Sequence, residues 1–411
     1  MWMLMRFELR KIVSNRAGMV ACALVLAMLV AVAALNVMTL GVRDYETGDY
    51  VHAFQAQRAI RARAERHAGT LTDERVAADA AAFDRAIELW EAEPELADKG
   101  GWEASGDAAI TLGLDFWRET GALFDDPYYD EVVGTIDSTN PRASSLEEGA
   151  AARIDGALSQ GFWDYFPYSD AEKAYWHGLE DDIAWPMEYG YERGWHNVIR
   201  WKGFAGLAAV ALCIALSGVF AGEYQDGTVA VVLPTRHGKR LLPAAKVVAS
   251  ILFATAYWAL LVVIVVGLHV GIYGADGWSL PLQVSAGFDN PYPLTIGQTV
   301  MVSYAVGYVV MLGMVGVTLL LSSVFRSTMP AAVVPMAAVF LGIIMLFATS
   351  LAKIALLTPF SGLSYEYIYM ASYAVGPLVA DLPTVLAALY ALLLVVSTPL
   401  AVRAFKLHQV A

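Results

Sequence analysis

The sequence predicts an all-α membrane protein with six transmembrane helices, both termini in the cytoplasm, and a mainly helical extracytoplasmic domain between the first two helices. Three observations lead to this fold class. Of the 411 residues, 57% are hydrophobic and 16% are charged, whereas an ordinary soluble domain has about 25% charged residues. Six apolar runs are each long enough to cross a hydrocarbon core about 30 Å thick. Finally, 33 of the 40 acidic residues lie in residues 41–198.

This composition excludes several classes of protein. A single water-soluble domain, a disordered protein and a disulfide-rich secreted module all disagree with it. The chain has only two cysteines. Cys22 and Cys213 both fall inside predicted spans, so neither can stabilise an outer domain, and we expect both to be buried as small apolar residues.

Residues 1–16 are predicted to form a cytoplasmic amphipathic helix in the plane of the membrane interface. The apolar residues that share one stripe of this helix are Trp2, Met5, Leu9 and Ile12. The basic residues on the rest of its surface are Arg6, Arg10 and Lys11. A helix with this distribution places its apolar stripe in the lipid boundary and its basic side chains near the headgroups.

The six predicted spans are residues 17–40, 199–221, 246–273, 296–322, 329–351 and 384–402, and a cytoplasmic tail follows at 403–411. The first run contains Ala31-Val32-Ala33, which resembles a signal-peptide cleavage site, but its length and the five later runs favour an uncleaved helix. The distribution of basic residues sets the orientation. The outer segments 274–295 and 354–383 contain no Lys or Arg. The basic residues next to outer helix ends are Arg200, Lys202 and Lys353.

Residues 41–198 carry 33 acidic and 13 basic residues, a net charge of −20, and are predicted to form the outer domain. Thr72 and the two acids after it predict a helix start, and apolar residues from Val76 to Trp90 recur at steps of three and four. Residues 50–68 predict an antiparallel partner helix. The second half is rich in aromatic residues, which favours either a small core with a belt at the membrane interface or a cleft for an apolar or cationic substrate.

Several sequence patterns of enzyme sites are absent from the chain. No segment fits G-x-x-x-x-G-K-[ST], H-E-x-x-H, C-x-x-C or G-x-S-x-G, so we expect no nucleotide, metal or catalytic site. The interiors of the predicted spans contain almost no ionisable residue except His269, which disfavours a secondary transporter or an intramembrane enzyme. The G-x-x-x-G pairs Gly218/Gly222 and Gly267/Gly271 indicate closely packed helices.

The most informative segment is the predicted cytoplasmic loop at residues 222–245. Glu223 lies where a membrane helix ends, and a short apolar helix then runs from Gly227 to Leu233. Pro234 closes this helix, because proline cannot continue it. The result is a short helix that lies across the cytoplasmic face and is flanked by basic residues.

This loop resembles that of the permease subunits of ABC-2 type transporters. The family pattern is a Glu, then Gly-Thr, an apolar stretch, a Pro, an Arg, and a Lys that opens the third span. The residues that resemble this pattern here are Glu223, Gly227, Thr228, Pro234, Arg236 and Lys246. Arg236 and Lys246 are further apart than is usual in the family, so Lys239 and Arg240 are alternatives for the Arg position. The resemblance covers the membrane part of the chain and not the outer domain.

The resemblance implies a permease that a separate ATP-hydrolysing subunit drives. That subunit would bind ATP and Mg²⁺, so this chain itself would have no cofactor and no enzymatic activity. The coupling residues that the resemblance implies are Glu223, Asp226, Gly227, Thr228, Leu233, Pro234, Arg236 and Lys246. In this arrangement Glu223 is close in topology to Arg6, Arg10 and Lys11 and can pair with one of them. Residues 354–383 would form the re-entrant hairpin of the family.

The implied function is the export of an amphipathic or hydrophobic substrate, such as a peptide, a lipid or a drug-like compound, across a bacterial plasma membrane. The implied partners are two copies of the ATP-binding subunit, a second permease chain (identical or related) and membrane lipid, with no nucleic acid. An alternative is a membrane sensor or scaffold whose outer domain binds a ligand or partner without moving it.

Overall fold

The structure is a computed structural model that describes residues 2–44, 47–93, 116, 126–137, 142–232, 234–235, 238, 241–346, 348–364 and 370–407. Six helices are long and apolar enough to cross a membrane. These helices, spans 1 to 6, are Arg16–Thr39, Arg193–Gln225, Leu242–Tyr273, Ile296–Val324, Thr328–Met345 and Leu382–Leu407. The predicted all-α membrane fold with six spans is confirmed.

Further elements lie before, between and after the spans. The longer helices are α1 (Trp2–Ser14), α2 (Ala53–Arg66), α3 (Asp73–Glu91), α4 (Leu146–Gln160), α5 (Asp170–Glu180) and α6 (Pro359–Ser364). The short helical turns are Tyr129–Val133, Gly134–Asp137, Val229–Val232, Gln283–Ala286, Thr349–Leu351 and Ala352–Ala355. Three antiparallel pairs of strands join β1 (Gly41–Arg43) to β2 (Tyr50–His52), β3 (Gly69–Thr70) to β4 (Glu188–Tyr189), and β5 (Ser372–Val375) to β6 (Leu378–Asp381).

Span 2 is longer than the sequence pattern predicts. It begins at Arg193 rather than at residue 199, and it continues to Gln225 rather than to residue 221. Its first turns carry polar side chains such as His196 and Asn197, which an apolar pattern assigns to the outer domain. A 3₁₀ turn at Trp201–Gly203 joins these turns to the apolar part of the helix. Span 2 therefore connects the outer domain directly to the opposite end of the bundle.

Two apolar cores hold the molecule together. The larger core joins the spans to the outer domain, because Ile154 and Trp176 pack in the same cluster as the buried alanines of span 2. The smaller core lies within the outer domain around Tyr128 and Val132. These buried aromatic side chains support the interpretation of the aromatic half of the domain as core. Both cysteines are free and buried, as we expected.

The first half of the outer domain follows the sequence pattern. The side chain of Thr72 accepts a hydrogen bond from the amide of Arg75 and caps α3, which confirms the predicted helix start. Val76, Ala80 and Trp90 of the predicted stripe are buried. Helix α2 lies within the segment for which a partner helix is predicted.

The close crossing of spans 1 and 2 does not involve the G-x-x-x-G pairs. At all four of those glycines an added Cβ would meet no heavy atom closer than 3.6 Å. At Gly18 of span 1, by contrast, an added Cβ would lie 2.4 Å from the Cα of Ala215 in span 2. The backbones of spans 1 and 2 therefore cross at a distance that only glycine permits.

The predicted re-entrant segment, residues 354–383, has two parts. Helix α6 packs within the bundle, where Leu363 is fully buried. Strands β5 and β6 then form an antiparallel hairpin that the sequence analysis did not predict. Gly376 has a φ of 62° and, with Pro377, forms a two-residue connection, which is the turn that hairpin strands favour when glycine comes first.

A buried polar network fastens the outer domain to this hairpin. Glu172 of α5 accepts hydrogen bonds from Ser372 (3.0 Å) and from Lys353 (3.2 Å) through Oε1. Its Oε2 accepts a hydrogen bond from the amide of Ser169 at 2.9 Å and so caps α5. The indole of Trp176 donates to the Ser372 hydroxyl at 3.3 Å. The outer domain is thus bonded to the segment between spans 5 and 6 as well as continuous with spans 1 and 2.

We expect Glu172→Gln to lower the free energy of unfolding by about 2 kcal/mol at neutral pH, because charge-assisted hydrogen bonds of a buried carboxylate are lost. Burial raises the pKa of Glu172, but the bonds from Ser169, Ser372 and Lys353 outweigh it, so the pKa lies below its ordinary value of 4.5. The ionised form therefore stabilises the protein above about pH 4.5, and this stability is lost as the pH falls through the native pKa. Thermal unfolding of wild type and variant in detergent at several pH values measures the effect.

Glu147→Gln is the matched control for this measurement, because Glu147 is an exposed carboxylate in the first turn of α4. A loss of stability in Glu172→Gln that is no larger than in the control, or that is equally large in acid, would contradict the assigned role of Glu172.

Candidate functional site

Helix α1 packs against the bundle with a face that differs from the predicted stripe. Met5 and Ile12 are buried, but Trp2 is 71% exposed and does not belong to the buried face. The buried face includes Glu8 instead, which is 3% exposed. A carboxylate on this face needs a cationic partner from another element, because an unpaired buried charge is costly.

That partner is Lys246, which lies in the first turns of span 3 and is 1% exposed. Its Nζ donates to Glu8 Oε2 at 2.8 Å, to Glu223 Oε1 at 3.0 Å and to the carbonyl of Val219 at 2.8 Å. An ammonium group has three N–H donors, so Lys246 has one acceptor for each of them.

Lys11 completes the set of charges. Its Nζ donates to Glu223 Oε1 at 2.7 Å and lies 3.6 Å from Glu8 Oε1. Glu8, Lys11, Glu223 and Lys246, here called the ion-pair cluster, therefore contain two carboxylates and two ammonium groups. Burial lowers the pKa of Lys11, but its bond to Glu223 and the charge of Glu8 outweigh this, and its pKa is raised. Lys11 is thus the one of the three basic candidates on α1 that pairs with Glu223.

The loop after span 2 is attached to the same cluster. Gly227 has a φ of 68°, in the left-handed region that favours glycine, and it turns the chain out of the span. The Thr228 hydroxyl then donates back to Glu223 Oε2 and to the carbonyl of Glu223. The spacing from Glu223 to Gly-Thr therefore lets the helix end and the loop share one carboxylate.

A short helix, Val229–Val232, follows this attachment. Val229 is buried against the bundle, whereas Val231 is 74% exposed. Asp226 and Pro234 are exposed on either side of it. The helix therefore packs one face against the bundle and leaves the opposite face exposed.

The structure brings together four of the predicted site residues and leaves the others apart. The residues in or bonded to the ion-pair cluster are Lys11, Glu223, Thr228 and Lys246. The predicted residues that are exposed and outside the cluster are Trp2, Arg6, Arg10 and Asp226. Leu233 and Arg236 lie outside the described residues. Glu8 was missed, although its position between Met5 and Ile12 at helical spacing marks it as part of the buried face.

A cavity of about 850 Å³ opens beside the cluster. Its walls come from α1, from the end of span 2 and from the start of span 5, and Glu8, Lys11, Glu223 and Lys246 line it. Gln225 accepts hydrogen bonds from the amide and hydroxyl of Thr328 at 3.3 and 3.2 Å and so ties the ends of spans 2 and 5 together. Within the described part of the chain, no group of three or more His, Cys, Asp or Glu side chains is placed to hold a metal ion.

Comparison with known proteins assigns a family. No curated protein and no solved structure matches the chain. A family model described as ABC-2 family transporter protein matches residues 2–406. The match includes the outer domain, which the sequence analysis placed outside the resemblance. The chain therefore belongs to the ABC-2 transporter family, as a membrane permease component of an ABC transporter.

Proposed function

We propose that this permease exports an amphipathic or hydrophobic substrate, such as a peptide, a lipid or a drug-like compound, with energy from ATP hydrolysis in a separate subunit. The observation that carries the proposal is the ion-pair cluster, in which Glu8, Glu223 and Lys246 are buried and Lys11 is half-exposed. It bonds α1, the end of span 2 and the start of span 3 to one another, and Thr228 bonds the exposed short helix to it. ATP and Mg²⁺ belong to the separate subunit.

The proposed orientation places this cluster at the cytoplasmic end of the bundle. Arg6 and Arg10 are exposed on α1, and Lys406 lies in the last turn of span 6. Basic residues concentrate on the cytoplasmic side of membrane proteins. In this orientation residues 41–198 are extracytoplasmic. The membrane that holds the protein is then the plasma membrane of a bacterium.

In the proposed mechanism, two ATP-binding subunits dock under the short helices of two permease chains, which are identical or related. Closure of these subunits on ATP displaces Val229–Val232. Thr228 transmits the displacement to Glu223, and the cluster transmits it to α1 and span 3. Buried ion pairs suit this role, because separating them in a low dielectric costs far more than separating exposed ones. The spans then move as a unit and open the pathway to the other side.

Glu223→Gln tests the proposed coupling. The amide has nearly the same shape but no charge, so Lys11 and Lys246 lose an ionic partner and the cluster gains a net positive charge. We expect the variant to assemble with the ATP-binding subunit and to lose at least about tenfold of its substrate-stimulated ATP turnover, equivalent to about 1.4 kcal/mol. The measurement is ATP hydrolysis by the purified complex in lipid nanodiscs, with and without candidate substrates.

Glu147→Gln is the control, because Glu147 is an exposed carboxylate of α4 and belongs neither to the cluster nor to the loop. Unchanged stimulation in Glu223→Gln would refute the coupling role. Purification of the chain from its native membrane without any P-loop ATPase, together with solute flux driven by an ion gradient, would overturn the ATP-driven function as a whole.

A further inference from the structure

A second cavity lies at the other end of span 2. It has a volume of about 420 Å³ and is enclosed by the outer end of span 1, helix α2, the turn that begins at Asp126, and the first turns of span 2. A volume of this order is typical of sites for small molecules. This second cavity shares no lining residue with the cavity beside the ion-pair cluster, which lies at the opposite end of span 2.

The cavity is lined by charges of both signs. Its carboxylates are Asp126, Glu131 and Glu192, and its guanidinium groups are Arg63, Arg193 and Arg200. Asp126 is already bonded to His67 at 3.1 Å and to the amide of Tyr128 at 3.1 Å. Both carboxylate oxygens of Asp126 therefore have hydrogen-bond partners within the protein.

The other two carboxylates differ from Asp126. The Oε2 atom of Glu192 is fully buried and has no hydrogen-bond partner among the described residues. The carboxylate of Glu131 forms no hydrogen bond or ion pair within that part of the chain. The buried Nε of Arg193 likewise has no hydrogen-bond partner there, although its guanidinium lies 5.9 Å from the centre of the Tyr273 ring. Folded proteins contain few buried polar atoms that lack a hydrogen-bond partner.

Burial raises the pKa of Glu131 to about 7 and that of Glu192 to about 8, and neighbouring carboxylates add to both shifts. Ionisation of these side chains is therefore unfavourable in the empty cavity. A cation bound beside them would favour the ionised form of both carboxylates.

We propose that this cavity binds a small zwitterion, such as a free amino acid or a dipeptide, with its ammonium group at Glu131 and Glu192 and its carboxylate at Arg193. The arginines on the cavity wall disfavour a ligand that carries only positive charge. All residues of the proposed contacts belong to this chain, so binding can be measured without the ATP-binding subunit.

Three small probes that share the glycylglycine backbone test the charge requirement on the purified full chain in detergent. Glycylglycine is a zwitterion, glycylglycinamide is a cation and N-acetylglycylglycine is an anion at neutral pH. We expect isothermal titration to show glycylglycine binding at least about tenfold more tightly than either of the others, since each of those lacks one charged contact.

Substitutions then assign the contacts. Glu192→Gln and Glu131→Gln should each weaken glycylglycine at least about tenfold and leave N-acetylglycylglycine unaffected, whereas Arg193→Gln should weaken glycylglycine and leave glycylglycinamide unaffected. Glu147→Gln, an exposed carboxylate of α4, is the control and should bind as wild type does. Size-exclusion elution and thermal unfolding check that each variant is folded.

The comparison of the three probes uses only the wild-type chain. It therefore tests the proposal even if a variant fails to fold. The absence of saturable binding of all three probes overturns the proposal. Equal affinity for the three probes, or binding that neither Glu131→Gln nor Glu192→Gln changes, overturns it as well.

Discussion

Lys246→Met is expected to destabilise the protein by about 3–5 kcal/mol and to abolish transport-linked ATP turnover. Methionine fills a similar volume but supplies no donor, so Glu8 loses its hydrogen-bonded partner and Glu223 keeps only Lys11 and Thr228. Removal of one member of a buried ion pair has this cost because the remaining charge stays buried without compensation. Thermal unfolding of the purified chain, and ATP hydrolysis by its complex, measure the two effects.

Two further variants distinguish a cluster effect from a general loss of charge. Lys406→Met removes an exposed lysine in the last turn of span 6, and we expect a change in stability below about 0.5 kcal/mol. The double variant Glu8→Gln/Lys246→Met restores the charge balance and should recover part of the lost stability. If Lys246→Met behaves like Lys406→Met, the cluster does not contribute the stability assigned to it.

Gly18→Val is expected to prevent correct packing of spans 1 and 2 and so to abolish stable expression of the folded chain. The new Cβ would lie 2.4 Å from a backbone atom of Ala215, and a backbone atom cannot rotate away as a side chain can. The spans would have to separate, which also removes the bonds from the Asn15 side chain to the carbonyl of Ala215 at 3.3 Å. Yield of monodisperse protein on size-exclusion chromatography in detergent measures the outcome.

Gly267→Val is the matched control, because Gly267 also lies in a span but has no heavy atom within 4 Å of an added Cβ. We expect this variant to fold with wild-type yield. Equal yields for Gly18→Val and Gly267→Val would show that the crossing of spans 1 and 2 tolerates a side chain.

The sequence predicted the membrane fold well, because long apolar runs have few alternative structures in lipid. It predicted the functional loop partly. Glu223, Thr228 and Lys246 stand out through their order along the chain. The pairing of Glu8 with Lys246 does not, because it depends on which face of α1 meets span 3. The choice of Lys11 over Arg6 and Arg10 depends on the same packing and required the structure.

Features that depend on contacts between distant segments were not predictable. Glu131 and Glu192 are 61 positions apart, and no local pattern indicates that they line one cavity. The G-x-x-x-G spacing drew attention to glycines without close neighbours, whereas Gly18 has no such spacing and lies where spans 1 and 2 cross closely. The β5–β6 hairpin was missed because its apolar residues resemble those of the neighbouring spans.

The length of span 2 has a mechanical consequence. Its 33 residues extend about 50 Å at 1.5 Å per residue. This length exceeds the thickness of the hydrocarbon core of a bilayer, which is about 30 Å. One end of this rod borders the outer cavity and the other carries Glu223. In the proposed mechanism, a tilt of span 2 about its middle would move these two ends in opposite directions. By thermodynamic reciprocity, a ligand that favours one tilt from outside would alter docking from inside by the same factor with which docking alters its own affinity.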